Sequence, residues 1–200
     1  MGKEQEWKLA VPEPSLLDDI LAWEVVRGFM AETPRLYHMR SSYFDAADRR
    51  FSRRRITIRL RMENDTPVVC VKTPLPGPKD CFLRGEWEAE GSDVTAALPR
   101  LVALGAPAEL LEPVPLTCLW GADFRRRAVL LRFADGSAAE LALDLGTLSG
   151  PAGTLPLCEL ELERKAGSPA AALALLQALQ ARFGLHPESR SKLARAKALE

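Results

Sequence analysis

Histidine and cysteine, the side chains that most often carry nucleophilic or zinc chemistry, are scarce in this 200-residue sequence. The only histidines are His38 and His186, and the four cysteines form neither a CxxC pair nor a zinc-type cluster. We therefore predict reduced thiols in a cytoplasmic protein, surface positions for both histidines, and no nucleophilic triad. Hydrolytic chemistry in such a chain has to rely on carboxylates or on a metal.

Long apolar runs and a net charge are also missing. No apolar stretch reaches about eighteen residues, so we expect neither a signal peptide nor a membrane-spanning helix. Lys+Arg and Asp+Glu both number 27, so no overall field favours nucleic acid or an anionic membrane. Without a linker or a repeat, the sequence indicates one domain over residues 1–200, as a monomer or a homodimer.

Hydrophobic periodicity predicts an α+β fold. The segments "SLLDDILAWEVV", "SDVTAALPRLVALG" and "SPAAALALLQALQARFG" have the spacing of helices. We predict N-caps at Ser15, Ser92 and Ser168, a break or kink at Pro99, and a stop at Gly184.

Turn signals separate the predicted strands. The segment "DAADRR" is typical of a polar turn and "LPGPKD" of a loop. The pair Asp135-Gly136 predicts a two-residue hairpin turn between "FRRRAVLLRF" and "AAELALDLG".

The polar faces of six predicted strands carry full charges. In "GKEQEWKLAV", Glu4, Glu6 and Lys8 share a face, opposite Trp7 and Leu9. The other five segments place these residues on one face each: Thr57, Arg59 and Arg61; Cys70 and Lys72; Arg84, Glu86, Glu88 and Glu90; Glu140 and Asp144; Glu159, Glu161 and Glu163.

A sheet with one solvated face is the simplest interpretation of these charges. However, acidic stretches such as "ELELE" are separate from basic stretches such as "RLR", and several helices could cover the apolar faces. A sheet wrapped with its charged face inward would suit a multiply charged anion and a divalent metal. Carboxylates bind Mg²⁺ or Mn²⁺, and Arg and Lys bind phosphate.

The charged motifs follow one another as in a known family. "EQEWK" resembles the ExExK signature of the CYTH superfamily, also called triphosphate tunnel metalloenzymes. "YFDAADRRFSRRRITIRLR", "VVCVKTP", "LRGEWEAE", "ADFRRRAVLLRFADGSAAELALDLG", "LPLCELELERKAG" and "SRSKLARA" resemble its later motifs over nearly the whole chain. The sequence is most similar to the bacterial inorganic triphosphatase branch.

The resemblance implies a closed antiparallel eight-stranded β-barrel that forms a tunnel, with helices packed outside. It implies hydrolysis of inorganic triphosphate to diphosphate and phosphate, with Mg²⁺ or Mn²⁺ and with Glu4, Glu6, Lys8 and Asp144 as catalytic residues. The implied metal ligands are Glu4, Glu6, Asp144, Glu159 and Glu161. The implied triphosphate ligands are Lys8, Arg59, Arg61, Lys72, Arg84, Arg126 and Lys192, with Glu86 and Glu88 in the tunnel wall.

Some alternatives remain open at this stage. A two-residue turn at Asp135-Gly136 would direct Arg125 and Arg127 inward, whereas the family's F-x-R pattern selects Arg126, which we prefer and which a bulge would allow. The substrate could also be thiamine triphosphate, ATP in a cyclase reaction, or RNA. A noncatalytic polyphosphate-binding module would use the same cations. Because the tunnel residues placed so far are charged or small, we expect no aromatic platform for an organic group, and no nucleic-acid or membrane partner.

Overall fold

The computed structural model describes residues 2–77 and 81–200, and its centre is one antiparallel sheet. The helices are α1 (Leu16–Ala22), α2 (Glu24–Phe29), α3 (Arg50–Arg53), α4 (Val94–Ala103), α5 (Ala170–Phe183) and α6 (Lys192–Ala196). Single 3₁₀ turns cover Ala108–Leu111 and Lys197–Leu199. The strands are β1 (Gly2–Ala10), β2 (Arg35–Asp45), β3 (Thr57–Glu63), β4 (Thr66–Pro74), β5 (Phe82–Glu90), β6 (Thr117–Arg132), β7 (Ala138–Gly150), β8 (Gly153–Ala166) and β9 (His186–Pro187).

The sheet closes because β1 pairs on both of its edges. The strand order is β5-β4-β3-β2-β6-β7-β8-β1-β9, and β1 also pairs with β5. In this register Glu4 lies opposite Arg84 of β5, and Lys8 lies opposite Glu161 of β8. Strands β1 to β8 therefore form the predicted closed eight-stranded antiparallel barrel.

The apolar faces of the strands point outward and are covered by helices. One buried cluster joins Trp7, Leu9 and Leu141 of the barrel to α1, α2 and α5. A second cluster packs Val71 and Trp87 against α4 and the following 3₁₀ turn. Because these faces are buried outside the barrel, the charged faces of the same strands line its interior.

A third apolar cluster lies inside one end of the barrel. Trp120 and Phe124 of β6 and Leu157 of β8 cluster with Leu193 and Ala196 of α6. The C-terminal helix therefore packs into this end, which explains why "SRSKLARA" carries a buried leucine among basic residues.

Several local predictions needed correction. One helix predicted after Ser15 is two, α1 and α2, because Trp23 has an extended ψ of 129°, and Ser15 makes no side-chain cap bond to any described residue. The cap of α4 is Asp93, which accepts from the Ala96 N–H, and not Ser92. Pro99 does not end α4, since the buried Leu98 and Leu101 hold this helix against the barrel.

Other predicted elements are confirmed or extended. The predicted stop of α5 is confirmed by the left-handed Gly184. The N-cap of α5 is Pro169 and not the predicted Ser168, although Ser168 accepts from the Ala170 N–H at 3.2 Å. The short helix α3, which was not predicted, begins at Arg50, the last residue of "DAADRR". The predicted "LPGPKD" loop includes residues 78–80, which lie outside the described residues. Within the described ranges, no helix is long and apolar enough to cross a membrane.

The β6–β7 hairpin has a loop one residue longer than predicted. Phe133 donates to Ser137, so the loop holds three residues and includes the left-handed Gly136 (φ +80°). The two-residue turn is therefore wrong, and the register pairs Arg126 with Asp144. Arg127 points outward and pairs with Asp18 at 2.5 Å. The side chain of Arg126 therefore points into the barrel because the loop is one residue longer than predicted, and not because of a bulge.

Candidate active site

Three buried carboxylates converge on the inner face of β7 and β8. Asp144, Glu159 and Glu161 each offer an oxygen within 4.8 Å of the others. Asp144 and Glu159 are fully buried, and Glu161 is 6% exposed. We call this group the carboxylate cage. Three converging carboxylates are a donor set that suits a hard divalent cation such as Mg²⁺ or Mn²⁺.

Two arginines also bind the carboxylates of the cage. Arg126 donates to both oxygens of Asp144 at 2.7 Å and to Glu161 Oε2 at 2.5 Å. Arg195 of α6 donates to Glu159 Oε2 at 2.5 Å. Sequence reasoning missed Arg195, although the matching "SKLAR" motif contained it.

Two lysines face the cage from the cavity side. Lys192 Nζ lies 2.7 Å from Asp144 Oδ2 and 2.8 Å from Glu161 Oε1, and it also contacts Glu159 Oε1. Lys8 contacts Glu161 and lies 3.3 Å from Glu6. Burial would raise the pKa of Glu161, but the charges of Lys192, Lys8 and Arg126 outweigh it and hold that pKa well below its ordinary value.

The ExExK carboxylates lie next to the cage and face basic groups of β4 and β5. Glu4 Oε1 accepts from Lys72 Nζ at 2.7 Å, and Glu4 Oε2 lies 2.9 Å from Arg84 Nε. Glu6 contacts Arg84 and Lys8. Of the five acidic residues predicted as ligands, the structure therefore brings three together in the cage and leaves two in ion pairs beside it.

The opposite wall holds two arginines, some of whose donors lack partners among the described residues. Arg59 Nε and Nη2 and Arg61 Nε are buried without a hydrogen-bond acceptor among the described residues. The carboxylate that approaches Arg59 is that of Glu86, 3.9 Å from Nη2. Unpaired buried guanidinium donors are costly, so this wall is suited to an anionic ligand that would accept from them.

Cage and basic wall enclose a cavity of about 290 Å³. The predicted site residues on its surface are Glu4, Glu6, Lys8, Arg59, Arg61, Lys72, Arg84, Glu86, Glu88, Arg126, Glu161 and Lys192. Asp144 and Glu159 lie behind this surface. The inward carboxylates of β7 and β8 are thus paired with Lys8, Lys192 and Arg126, whereas Arg59 and Arg61 of β3 keep donors without acceptors among the described residues.

Comparison with known proteins identifies the family of this barrel. A family model described as the CYTH domain matches residues 2–196. The chain belongs to the CYTH domain family.

Solved structures with the same fold cover nearly all of this CYTH chain. One is a proposed adenylyl cyclase from Hippeastrum described as having a dominant triphosphatase activity, with 21% identity, a TM-score of 0.63, and 98% of this chain and 95% of that chain covered. Another is the PH1819 protein of Pyrococcus horikoshii, with 20% identity, a TM-score of 0.59, and coverages of 98% and 99%. A third is a proposed adenylate cyclase of Bacillus halodurans, with 18% identity, a TM-score of 0.56, and 96% of each chain covered.

One expectation about the CYTH cavity is wrong, because aromatic side chains do line it. Tyr37, Met39 and Tyr43 of β2 and Phe124 of β6 form part of its surface. The strand "RLYHMRSSYFD" alternates, and Tyr37, Met39 and Tyr43 share its inward face. The alternation of inward and outward residues in this segment could have identified these side chains, but the pattern of charged residues could not.

The predicted surface positions of both histidines are confirmed, and the cysteines differ in their burial. His186 is exposed, and the half-exposed His38 pairs with Asp123. Cys70, Cys118 and Cys158 are free thiols, and Cys70 is buried on β4, where its thiol donates to Glu86 at 3.1 Å. Burial raises the pKa of Cys70 to about 11, which keeps this thiol protonated.

Proposed function

We propose that this CYTH protein hydrolyses inorganic triphosphate to diphosphate and phosphate with Mg²⁺ or Mn²⁺. The observation that carries the proposal is that one cavity brings the carboxylate cage close to two arginines with unpaired buried donors. A metal alone would leave the free donors of Arg59 and Arg61 without acceptors, and a phosphate chain alone would make no use of the three converging carboxylates. A chelate of a polyanion with a divalent metal uses both.

The basic wall would bind the phosphate chain. Arg59 and Arg61 offer buried donors without acceptors among the described residues, and Lys72 and Arg84 extend the wall toward Glu4. Guanidinium groups match the paired oxygens of phosphate and keep their charge at any physiological pH. These residues would therefore hold the chain in line for displacement at its terminal phosphorus.

The cage would hold the metal, with Glu4 and Glu6 beside it. When bound, the metal supplies charge neutralisation at the phosphate oxygens and a more acidic water. The carboxylates would orient the attacking water. Its oxygen forms the new bond to the terminal phosphorus, the bridging P–O bond breaks, diphosphate leaves, and the water proton passes to a carboxylate or to solvent.

A second candidate is hydrolysis or cyclisation of an organic triphosphate. The aromatic side of the cavity favours it, because Tyr37 and Tyr43 could contact an organic group. The Hippeastrum relative, described as a proposed cyclase with a dominant triphosphatase activity, fits both candidates. The charges of the cavity still outnumber its aromatics, which is why we place inorganic triphosphate first.

One substrate screen tests the proposal. Phosphate release would be measured from triphosphate, ATP, thiamine triphosphate and long-chain polyphosphate, with Mg²⁺, with Mn²⁺ and with EDTA. We expect metal-dependent turnover and a kcat/KM for triphosphate at least about tenfold above that for ATP, or roughly 1.4 kcal/mol. A better rate with ATP or thiamine triphosphate would favour the second candidate. Binding without turnover of any of these compounds would indicate a noncatalytic module.

A further inference from the structure

The ammonium of Lys192 occupies the centre of the carboxylate cage. One oxygen of each carboxylate contacts Lys192 Nζ. On the two glutamates this is the oxygen that the arginines do not bind, since Arg126 holds Glu161 Oε2 and Arg195 holds Glu159 Oε2. The oxygens that point to the middle of the cage are therefore occupied by the lysine.

A divalent cation and this ammonium would need the same oxygens. Mg²⁺ binds carboxylate oxygens at about 2.0–2.1 Å, closer than an ammonium donor approaches them. The two cations would also repel each other strongly in a buried site. We propose that Lys192 and the divalent metal compete for the carboxylate cage, so that metal binding moves the Lys192 ammonium into the cavity. This inference rests on the proposed function, because it takes the cage to be the metal site.

Burial of the cage supports a covering role for Lys192. Asp144 and Glu159 are fully buried and do not line the cavity, whereas Lys192 does. The lysine side chain therefore lies between these two carboxylates and the space that a metal would come from. Rotation of the Lys192 side chain would open the cage without a change in β7 or β8.

Lys8 is a weaker candidate for this role. It contacts Glu161 and lies 3.7 Å from Glu159, but its ion pairs within the described residues do not include Asp144. It also belongs to β1, which is paired on both edges. Lys192, in contrast, is the first residue of the five-residue helix α6. Its ammonium contacts all three cage residues, so it is the group that the metal must displace.

The competition predicts how metal and substrate affect each other. Once displaced, the Lys192 ammonium faces the cavity, where a phosphate oxygen can accept from it. Metal binding would then create a phosphate donor, and a bound phosphate chain would keep Lys192 out of the cage. Metal and triphosphate should therefore each raise the affinity for the other.

Metal binding without substrate tests this inference directly. Isothermal titration of the full chain with MnCl₂ would compare wild type with Lys192→Met and with Lys197→Met, a control on the same segment whose ammonium donates to Ser52 and not to the cage. We expect Lys192→Met to bind Mn²⁺ at least about fivefold more tightly than wild type, and Lys197→Met to match wild type. Equal or weaker binding by Lys192→Met overturns the inference alone. If none of the three proteins binds Mn²⁺, the proposed metal site falls as well.

A second measurement uses the wild-type protein, so it does not depend on the folding of a variant. Lysines would be acetylated with acetic anhydride with and without Mn²⁺, and each site quantified by mass spectrometry. Labelling of the buried Lys192 should rise with Mn²⁺, while labelling of the half-buried Lys197 stays constant. Unchanged or reduced labelling of Lys192 in Mn²⁺ would contradict the displacement.

Discussion

The charged side chains in the cavity differ in whether a carboxylate of the protein already pairs with them at short distance. Lys8 and Lys192 have carboxylate partners at short distance, whereas the ion pair of Arg59 within the described residues is the one with Glu86 at 3.9 Å. The substrate can therefore gain most from Arg59. We expect Arg59→Ala to weaken triphosphate binding by roughly 2–4 kcal/mol, because a buried phosphate charge would lose its partner.

Binding of triphosphate in EDTA, measured by titration calorimetry, would check the effect of Arg59→Ala. The matched control is Arg182→Ala, since Arg182 is exposed on α5, away from the cavity. Equally small losses for both variants would mean that the inward arginines do not hold the phosphates.

Glu86 should contribute to stability in a pH-dependent way. Burial would raise the pKa of Glu86, but Lys72 and Arg59 outweigh it and lower that pKa from 4.5 to about 2. A lowered pKa stabilises the fold above the unfolded-state value and loses this contribution as the pH falls through the folded-state value. We expect Glu86→Gln to cost at most about 3 kcal/mol at pH 7.

Denaturant unfolding of wild type and Glu86→Gln at several pH values would show the difference. Their free energies of unfolding should converge as the pH falls from 4.5 to about 2. A constant difference over this range would indicate that Glu86 acts through packing and not through charge.

Among the elements of the fold, the β6–β7 hairpin contains two glycines that are required for different reasons, a left-handed backbone and a close contact with the neighbouring strand. Gly136 has φ +80° and open space where a Cβ would lie, so Gly136→Ala should cost only the left-handed backbone strain, about 1–2 kcal/mol. A Cβ on Gly146 would meet the backbone oxygen of Asp123 at 2.2 Å and Phe124 Cα at 2.5 Å. Because backbone cannot move aside, Gly146→Ala should cost about 3 kcal/mol and separate β6 from β7.

Thermal unfolding and triphosphate KM would separate the two glycine variants. Gly136→Ala should lower the melting temperature with an unchanged KM. Gly146→Ala should change both, because Gly146 lies one inward position from Asp144, the partner of Arg126 on β6. A normal KM in Gly146→Ala would show that this part of β6 keeps its register despite the added carbon.

The same hairpin shows what a sequence can and cannot predict at this level. The alternation of "ELALD" and "ELELE" identified inward residues because a strand has a period of two. The loop length did not follow from Asp135-Gly136, since a three-residue loop uses the same glycine as a two-residue turn. A difference of one residue in the loop determines whether Arg126 or its neighbours face the cage, and the pairing of β6 with β7 determines the length of that loop.

The boundary between α1 and α2 was also not predictable from the sequence. The extended ψ of Trp23 ends α1, although the apolar pattern continues into α2.

For the whole molecule, the barrel and its charged interior were predictable, but the way α6 completes the site was not. Charges on six strands and the family motifs indicated an inward charged face. The contact of Arg195 with Glu159 joins α6 to β8 across 36 residues. Sequence spacing carries no information about such a contact, because it depends on how the tail folds back into the barrel end.

Divalent metal should stabilise the whole fold. A ligand that binds only the folded state stabilises it by about 2.7 kcal/mol at a concentration 100 times its Kd. We expect Mn²⁺ to raise the melting temperature of wild type and to have little effect on Glu161→Gln, which loses a cage carboxylate. The same rise in both proteins would place the stabilising metal outside the cage.

The double pairing of β1 has a consequence for biosynthesis. β1 is made first, yet its partner β8 ends at Ala166, and the cage contacts from α6 follow only at Lys192 and Arg195. On a translating ribosome, β1 can pair with β5 once Glu90 has emerged, but the pairing of Lys8 with Glu161 of β8 requires most of the chain. Ring closure joins segments some 150 residues apart, which makes this step late and slow. A nascent chain that stalls before β8 would carry the ExExK motif and no active site.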